Sequence, residues 1–299
     1  IEGMRDYIQS ITDELIDAWI DDGEVDLMNR LCVPLPIYVI ADQLGVPRAE
    51  LPLIKKWSDA SASRLGRLAN EEQQIQNAKD IVEFQHYFAD LIDRMRESPE
   101  DNIISDLANN TIDEGRLLTK PEALGMIQQI LVAGNETSTA GIAGGVVLLI
   151  ENPAEQTKLR SNPDLIPGAV EEILRLETPT SGMWRTATED TEVGGVPIPK
   201  GAFLMVRFAA GNRDESVFSC GHEMKVDRDN ASNHLAFGQG THFCLGAQLA
   251  RSEMQIALGS LLARTDNWGL VEGKNTLTHN PNVLLRGLKD LYISFDKIS

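Results

Sequence analysis

A single cysteine lies in a loop punctuated by glycines, directly before a long amphipathic segment that predicts a helix. The loop spans residues 237–246 with the sequence FGQGTHFCLG, in which Cys244 is the thiol. Glycines let the backbone approach a flat cofactor closely. The positive end of the following helix, predicted to begin near Leu245, favours thiolate over thiol. These features indicate a cysteine thiolate suited to ligating haem iron.

Other roles for Cys244 remain open at this point. A buried structural cysteine is the common alternative. Zinc would find only two ligands in His242-x-Cys244, fewer than the four of a structural zinc site. Covalent c-type haem attachment is excluded because the chain contains no Cys-x-x-Cys-His. His242 and Arg251 flank the cysteine, and both could reach an anionic group such as a haem propionate.

A second motif places an acid and an alcohol in the middle of an apolar segment, with the sequence AGNETS over residues 133–138. A glycine inside a helix costs about 1 kcal/mol against alanine, and a buried carboxylate must be paired or hydrated. The motif predicts a helix that loosens at Gly134 and leaves Glu136 and Thr137 beside a groove. There the two side chains could bind a small polar ligand and relay protons. The alternative is a helix-packing glycine beside a solvated glutamate.

Isolated charges form a third, weaker pattern. Glu172 and Arg175 are three residues apart and would face each other on one helix. Surface pairs of this kind are common and contribute little. Arg185 and Arg228 are isolated cations near apolar runs, and either could be a solvated surface residue.

The elements that must position these residues are mostly helical. Apolar spacing predicts helices over residues 1–23, 31–44, 51–65, 70–97, 119–151, 154–161, 167–176 and 245–264, with a partly looped segment at 98–115. The 119–151 helix begins with a capping box, Thr119-Lys-Pro-Glu122. Short strands are predicted at 184–189, 191–193 and 202–208, and a hairpin around Gly287 at 277–296. The prediction is a mainly α single domain over 1–299 with a minor β region.

Composition limits the class of partner and compartment. The 299 residues carry a formal net charge of -18, which argues against nucleic acid or an anionic membrane as a general partner. Three cysteines without framework spacing, and no visible signal peptide, predict a reducing cytoplasmic compartment. Residues 123–150 are nearly free of charge, but Glu136 in their middle would cost about 2.5–3.5 kcal/mol in a bilayer. We therefore expect a buried helix and no membrane span.

The order of these motifs resembles that of the cytochromes P450, the haem-thiolate monooxygenases, in their soluble bacterial form. The acid–alcohol helix comes first, then Glu172-x-x-Arg175, then Asn-Arg-Asp at 212–214, and finally the cysteine loop followed by Leu-Ala-Arg at 249–251. The resemblance covers essentially the whole chain, and the cysteine loop is its most specific motif. It implies the P450 fold, built around the long central helix. Family members are longer at the N-terminus, so we expect that this chain lacks its N-terminal part.

The resemblance also implies an activity. Haem b would be the cofactor, and one oxygen atom of dioxygen would enter a lipophilic small molecule. Electrons would come from NAD(P)H through a ferredoxin or flavodoxin-like donor with its reductase. A peroxide-driven peroxygenase and a non-catalytic haem-binding fragment are the alternatives. The Glu136–Thr137 pair argues against the peroxygenase, since similar peroxide-driven enzymes replace that pair.

Family roles follow for individual positions of this sequence. Cys244 would be the axial thiolate, Glu136 and Thr137 would deliver protons to iron-bound dioxygen, and Gly134 would provide the space for it. The other cofactor-binding positions are Arg185 and His242 at the haem propionates, Phe237 as a shield for the thiolate, and the loop glycines Gly238 and Gly246. A structural ion network would join Glu172, Arg175 and Arg228. By analogy, the substrate contacts are Ile130, Leu131, Thr180, Met183 and Val283.

Overall fold

The computed structural model describes residues 2–112 and 115–298 and is predominantly helical. Over these residues the helices are α1 Arg5–Asp17, α2 Pro34–Gln43, α3 Leu51–Gly66, α4 Glu71–Glu97, α5 Ile103–Asn109, α6 Lys120–Glu151, α7 Pro153–Ser161, α8 Ile166–Glu177, α9 Phe208–Gly211 and α10 Ala247–Arg264. None of these helices has the length and apolar character needed to cross a membrane.

The β structure is small and divided among three sheets in the described residues. The strands are β1 Glu24–Asp26, β2 Met183–Thr186, β3 Thr191–Val193, β4 Val196–Ile198, β5 Phe203–Val206, β6 Thr265–Leu270 and β7 Tyr292–Lys297. One sheet has the order β1-β7-β6, and two antiparallel ribbons pair β2 with β5 and β3 with β4. The prediction of a mainly α fold with a minor β region is confirmed.

The central helix α6 is 32 residues long and begins at the predicted capping box. The Thr119 amide donates to the Glu122 carboxylate at 2.8 Å, and the Glu122 amide donates to the Thr119 hydroxyl at 3.4 Å. These two bonds satisfy amide groups that a helix start leaves without partners. The predicted helix start and end are both confirmed to within one residue.

Two hydrophobic clusters meet on α6. The first joins its C-terminal half to α1, α8 and α10 through residues such as Val146, Ile173 and Leu258. The second joins its N-terminal half to α2, α3, α4 and α5 around Trp57 and Phe88, whose ring centroids are 5.9 Å apart. Because α6 contributes side chains to both clusters, its uncharged sequence is explained by burial on most sides.

The chain tail differs from the predicted hairpin around Gly287. The Asn280 amide donates to the Gly287 carbonyl at 2.9 Å, so Gly287 lies opposite Asn280 and the turn lies between them. The regular strand of the tail is β7, which pairs with β6 and β1. The predicted turn position was wrong because the Asn282 side chain, which accepts the Leu284 and Leu285 amides at 2.9 and 3.0 Å, forms the turn without glycine.

Candidate functional site

The cysteine loop folds back on itself through backbone contacts. The Cys244 amide donates to the Phe237 carbonyl at 2.9 Å, and Gly238 and Gly240 have φ of 67° and 72°, which favour glycine. Helix α10 begins at Ala247, two residues after the predicted Leu245. Burial raises the pKa of the Cys244 thiol, although the Gly246 amide and the charge of Arg251 act in the opposite direction. The helix start therefore does not by itself produce a thiolate.

A buried ionic cluster supports this loop from the side of α8. Arg251 donates to the Glu171 carboxylate at 2.6 and 2.8 Å, and its guanidinium carbon lies 4.7 Å from the centroid of the Phe237 ring. His234 accepts the Ala236 amide at Nδ1 and places Nε2 3.2 Å from Glu171. Burial opposes ionisation of Glu171, but Arg251 and His234 outweigh it, and the pKa of Glu171 falls to about 2.

This cluster corrects one prediction. Arg251 was expected to reach an external anion, but its guanidinium is engaged by Glu171 inside the protein. Sequence analysis missed Glu171 and His234 because their partners are on other elements. The contact between Arg251 and Glu171 spans 80 residues of chain, for which no local spacing gives a signal.

The central helix α6 carries an exposed stripe in its N-terminal half, although most of its C-terminal half is buried. Met126, Gln129 and Ala133 are exposed at spacings of three and four residues, and Thr137 follows one turn later, half-buried. The Thr137 hydroxyl donates to the Ala133 carbonyl at 2.8 Å. This bond fixes the hydroxyl on the stripe and leaves its lone pairs available to accept a further hydrogen bond.

Glu136 points from α6 towards α3. Its carboxylate lies 3.6 Å from the Lys55 ammonium, which also forms an ion pair with Asp59. Burial raises the pKa of Glu136 to about 6, with Asp59 adding to the rise and Lys55 opposing it. A carboxyl with this pKa can hold and release a proton near neutral pH. Lys55 and Asp59 were not identified from the sequence, because they lie on a helix distant in the chain.

Gly134 does not have the predicted effect on the helix. Helix α6 continues through this position without interruption, so the prediction of a loosened helix was wrong. A Cβ at Gly134 would lie 3.0 Å from the Cδ1 atom of Ile40 on α2, which shows that the missing side chain permits close packing of two helices. The small residue on the exposed stripe is Ala133, one position earlier. The role of Gly134 beside a bound ligand stays a prediction.

The structure brings Glu172, Arg175 and Arg228 together in a buried ion network. Arg175 donates to Glu172 at 2.7 and 2.8 Å, and Arg228 donates to the same carboxylate at 3.0 and 3.1 Å. Glu172 and Arg175 are both fully buried. Arg175 also donates to the carbonyls of Asn212 and Gly221 at 2.7 and 2.6 Å. The network therefore fixes the long loop after α9 against α8.

The two other side chains predicted to bind an anionic group, Arg185 and His242, are both exposed. Arg185 lies on β2 and donates to the Trp184 carbonyl at 2.8 Å. His242 ends the short 3-10 turn Gly240–His242 of the cysteine loop. Neither side chain forms an ion pair with another residue in 2–112 or 115–298. Both remain available to an anion from outside the described chain.

The predicted substrate positions differ in their surroundings. Leu131 is 0% exposed and packs in the second hydrophobic cluster, so its prediction as a substrate contact was wrong. The neighbouring predicted contact, Ile130, is half-buried and packs at the edge of the same cluster. Thr180 pairs with Leu285, Met183 is exposed on β2, and Val283 is half-buried in the tail turn.

A buried acid that sequence analysis missed lies beside the acid–alcohol motif. Glu253 on α10 is 1% exposed, and within residues 2–112 and 115–298 neither of its carboxyl oxygens meets a donor with good hydrogen-bond geometry. The Ser138 hydroxyl of α6 is the polar group that faces it, and burial raises the pKa of Glu253 to about 8. The side chain is therefore largely protonated at neutral pH.

The fold and the cysteine loop define the class of protein. A family model described as Cytochrome P450 matches residues 42–287, and the chain belongs to this family. It is 38% identical to the cytochrome P450 monooxygenase PikC of Streptomyces venezuelae, over 98% of this chain and 69% of that protein. It is 36% identical to the 6-deoxyerythronolide B hydroxylase of Saccharopolyspora erythraea, over 99% and 72% of the two chains. The chain is thus a cytochrome P450 monooxygenase, with haem b as its cofactor.

Solved structures agree with this assignment. A crystal structure of P450BioI in complex with acyl carrier protein ligated to hexadec-9Z-enoic acid matches with a TM-score of 0.92 and 32% identity, over 99% of this chain and 74% of that one. The testosterone complex of CYP109E1 from Bacillus megaterium matches with a TM-score of 0.88 and 33% identity, over 98% and 79%. The architecture around α6 is therefore that of the bacterial cytochromes P450.

The residues present fit a flat macrocycle. Apolar side chains on either side of Cys244 face solvent, with Leu245 95% exposed and Phe243 52% exposed. Such exposure of large apolar groups marks a surface that a ligand or partner covers. The exposed stripe of α6 combines Met126 and Ala133 with the polar Gln129, and the exposed Arg185 and His242 supply two groups that can donate hydrogen bonds to an anion.

Proposed function

We propose that this monooxygenase inserts one oxygen atom into a lipophilic small molecule, with electrons from NAD(P)H through a ferredoxin or flavodoxin-like donor and its reductase. The observation that supports the proposal most directly is the Thr137 hydroxyl on the exposed stripe of α6, beside the Glu136 carboxyl with its pKa of about 6. An alcohol and a titrating acid on adjacent residues are the groups that proton delivery requires.

Residues of the cysteine loop would hold the cofactor. The Cys244 sulfur is the proposed axial ligand, and its thiolate would be stabilised by the Gly246 amide and the Arg251 charge. When bound, haem supplies the oxidation chemistry, and thiolate ligation favours cleavage of the O–O bond. Phe237 would shield the sulfur, and its position is fixed by the Arg251 guanidinium above its ring. Gly238 and Gly246 would allow the backbone to approach the macrocycle.

Two exposed side chains would hold the propionates. Arg185 and His242 lie on separate elements, and each lacks an ion-pair partner among the described residues. A carboxylate between them would form charge-assisted hydrogen bonds.

Proton movement would start from Glu136. Lys55 and Asp59 lie between this carboxyl and the surface of α3, so a proton can pass between solvent and Glu136 as these side chains move. The Thr137 hydroxyl would accept a hydrogen bond and donate one towards the reacting oxygen, once it leaves the Ala133 carbonyl. Gly134 would contribute indirectly, since its packing on Ile40 holds this segment of α6 in place.

Relatives support a lipophilic substrate. Two of them bear the names 6-deoxyerythronolide B hydroxylase and steroid C26-monooxygenase. The proposed contacts in this chain are Ile130, Thr180, Met183 and Val283, which are apolar or small. We also propose a single domain, because both hydrophobic clusters share α6, and a cytoplasmic location, which the three free cysteines favour.

Turnover under labelled dioxygen tests the proposal. With NADPH, a surrogate ferredoxin and its reductase, we expect a lipophilic probe such as testosterone to gain one labelled atom. The Thr137→Ala variant should consume NADPH at a similar rate but release hydrogen peroxide, with product per NADPH reduced by about tenfold. The control is Thr157→Ala, which removes a hydroxyl with the same bond to its i−4 carbonyl on a surface helix. Product formed from peroxide alone, and not from NADPH, would contradict the proposal.

A further inference from the structure

The turn at residues 282–285 lies between helix α3 and the segment before β2. On one side, the Ser181 amide donates to the Leu284 carbonyl at 2.7 Å, and the Ser181 hydroxyl donates to the Val283 carbonyl at 3.3 Å. On the other side, Asn282 donates from Nδ2 to the Ala62 carbonyl of α3 at 3.1 Å. This last bond joins residues 220 positions apart in the chain.

The side-chain amide of Asn282 forms hydrogen bonds through both its oxygen and its nitrogen. Its oxygen accepts the Leu284 and Leu285 amides at 2.9 and 3.0 Å, which forms the turn. Its nitrogen makes the bond to α3. One side chain therefore sets the shape of the turn and its distance from the helix, and the two functions depend on different atoms.

The contact is close on the helix side as well. A Cβ at Gly66 would lie 2.8 Å from both Cγ and Nδ2 of Asn282. Since real Cβ atoms do not approach so closely, only glycine at position 66 allows the helix to meet the turn at this distance. The end of α3 and the turn therefore fit each other at Asn282.

Helix α3 is also attached to the central helix. Asn135 of α6 donates to the Ser58 hydroxyl at 3.1 Å, and Gln128 donates to the Ser61 hydroxyl at 3.0 Å. Through α3, Asn282 thus connects the turn to the helix that carries the exposed stripe. Val283 in the turn, Thr180 and Ile130 belong to three segments whose relative positions depend on this connection.

We propose that Asn282 is a positioning residue that determines substrate selectivity, through its hydrogen bond from Nδ2 to the Ala62 carbonyl of α3. This inference rests on the proposed function, because it takes Val283 and Thr180 as part of the substrate wall. With the bond intact, the wall at Val283 is held in one position before a ligand arrives. Without it, a bulky ligand must order the turn as it binds, which weakens its binding.

Two substitutions separate the functions of the side chain. Asn282→Asp keeps an oxygen that can accept the Leu284 and Leu285 amides, but it removes the donor and places a carboxylate against the Ala62 carbonyl. Asn282→Ala removes both functions. The matched control is Asn280→Asp, the same change two residues away, at an exposed side chain of the same hairpin.

The experiment measures spectral dissociation constants of imidazole and 4-phenylimidazole in the haem-loaded, full-length protein. Both probes bind haem iron through an azole nitrogen, and only the second has a ring that contacts the pocket wall. In Asn282→Asp we expect imidazole affinity to change less than twofold and 4-phenylimidazole affinity to fall by about tenfold, the loss expected for one hydrogen bond. Asn280→Asp should change neither.

Hydrogen exchange at Leu284 and Leu285 gives a second measurement that does not depend on haem. Their amides should remain protected in Asn282→Asp and exchange faster in Asn282→Ala. The proposal is wrong if the ratio of the 4-phenylimidazole and imidazole dissociation constants is the same in Asn282→Asp as in Asn280→Asp. This result would contradict it even if both variants bind haem normally. If imidazole produces no Soret shift in the unsubstituted protein, the proposed haem site fails instead, and the selectivity proposal fails with it.

Discussion

At the scale of single residues, burial controls the titration of the acids near the central helix. Glu136 and Glu253 both have raised pKa values, of about 6 and about 8, because burial penalises their charged forms. They differ in their partners. Glu136 has Lys55 at 3.6 Å, whereas the polar group that faces Glu253 is the uncharged Ser138 hydroxyl. Glu136 is therefore suited to exchange protons near neutral pH, and Glu253 remains largely uncharged.

Glu253 should make the free energy of unfolding depend on pH. Its folded pKa of about 8 lies above the ordinary value of 4.5, so the folded state keeps a proton that the unfolded state releases. The stabilisation is complete below about pH 4.5 and is lost as pH rises through 8. Glu253→Gln removes the titration. In thermal unfolding of the haem-loaded protein, we expect the variant to be close to the unsubstituted protein at pH 5 and to exceed it at pH 8 by roughly 3–4 kcal/mol.

The control is Glu189→Gln, which changes an exposed glutamate in the same way. It should leave the difference in stability between pH 5 and pH 8 unchanged. A Glu253→Gln variant with the pH dependence of the unsubstituted protein would show that Glu253 does not hold the proton.

At the scale of elements, long-range polar contacts place the loops and helices around α6. The network of Glu172, Arg175 and Arg228 attaches the loop after α9 to α8, and the Glu171–Arg251 pair attaches α10 to the same helix. A buried pair of this kind is costly to break, because the remaining charge has no partner. The cysteine loop follows this anchored region directly in the chain.

Glu172→Gln tests the network. Two buried arginines would lose their counter-charge, so we expect the free energy of unfolding in urea to fall by about 3–5 kcal/mol. Glu223→Gln is the matched control, because Glu223 pairs with Lys225 in the same loop but is exposed. Its effect should be within about 0.5 kcal/mol. Equal effects of the two substitutions would mean that the network adds no more than a surface pair.

Local patterns were predicted well from the sequence, and contacts between distant segments were not. The Thr119–Glu122 capping box and the glycines of the cysteine loop act over a few residues, so their sequence is sufficient. Arg251–Glu171 and Lys55–Glu136 join separate elements, and only packing brings them together. Leu131 and Gly134 were misplaced for the same reason, since a helical pattern does not show which neighbouring helix covers each side.

At the scale of the whole molecule, the long helix α6 contributes side chains to both hydrophobic clusters and also carries the exposed stripe that ends near Thr137. Its stripe at Met126, Gln129 and Ala133 is exposed, whereas most of the C-terminal half of α6 is buried. The fold therefore leaves one face of α6 accessible beside Thr137, and we propose that cofactor and substrate contact this face. This arrangement agrees with the family assignment. The central proposal is that Cys244 provides the axial thiolate.

The difference spectrum of the dithionite-reduced, full-length protein with and without carbon monoxide tests that proposal most directly. We expect the strongly red-shifted Soret band of thiolate-ligated haem in the unsubstituted protein, and its loss in Cys244→Ser. The buried Cys32→Ser and exposed Cys220→Ser variants serve as controls, and both should keep the band. A band typical of histidine-ligated haem in the unsubstituted protein, or a red-shifted band that survives in Cys244→Ser, would contradict the assignment of Cys244 as the haem ligand.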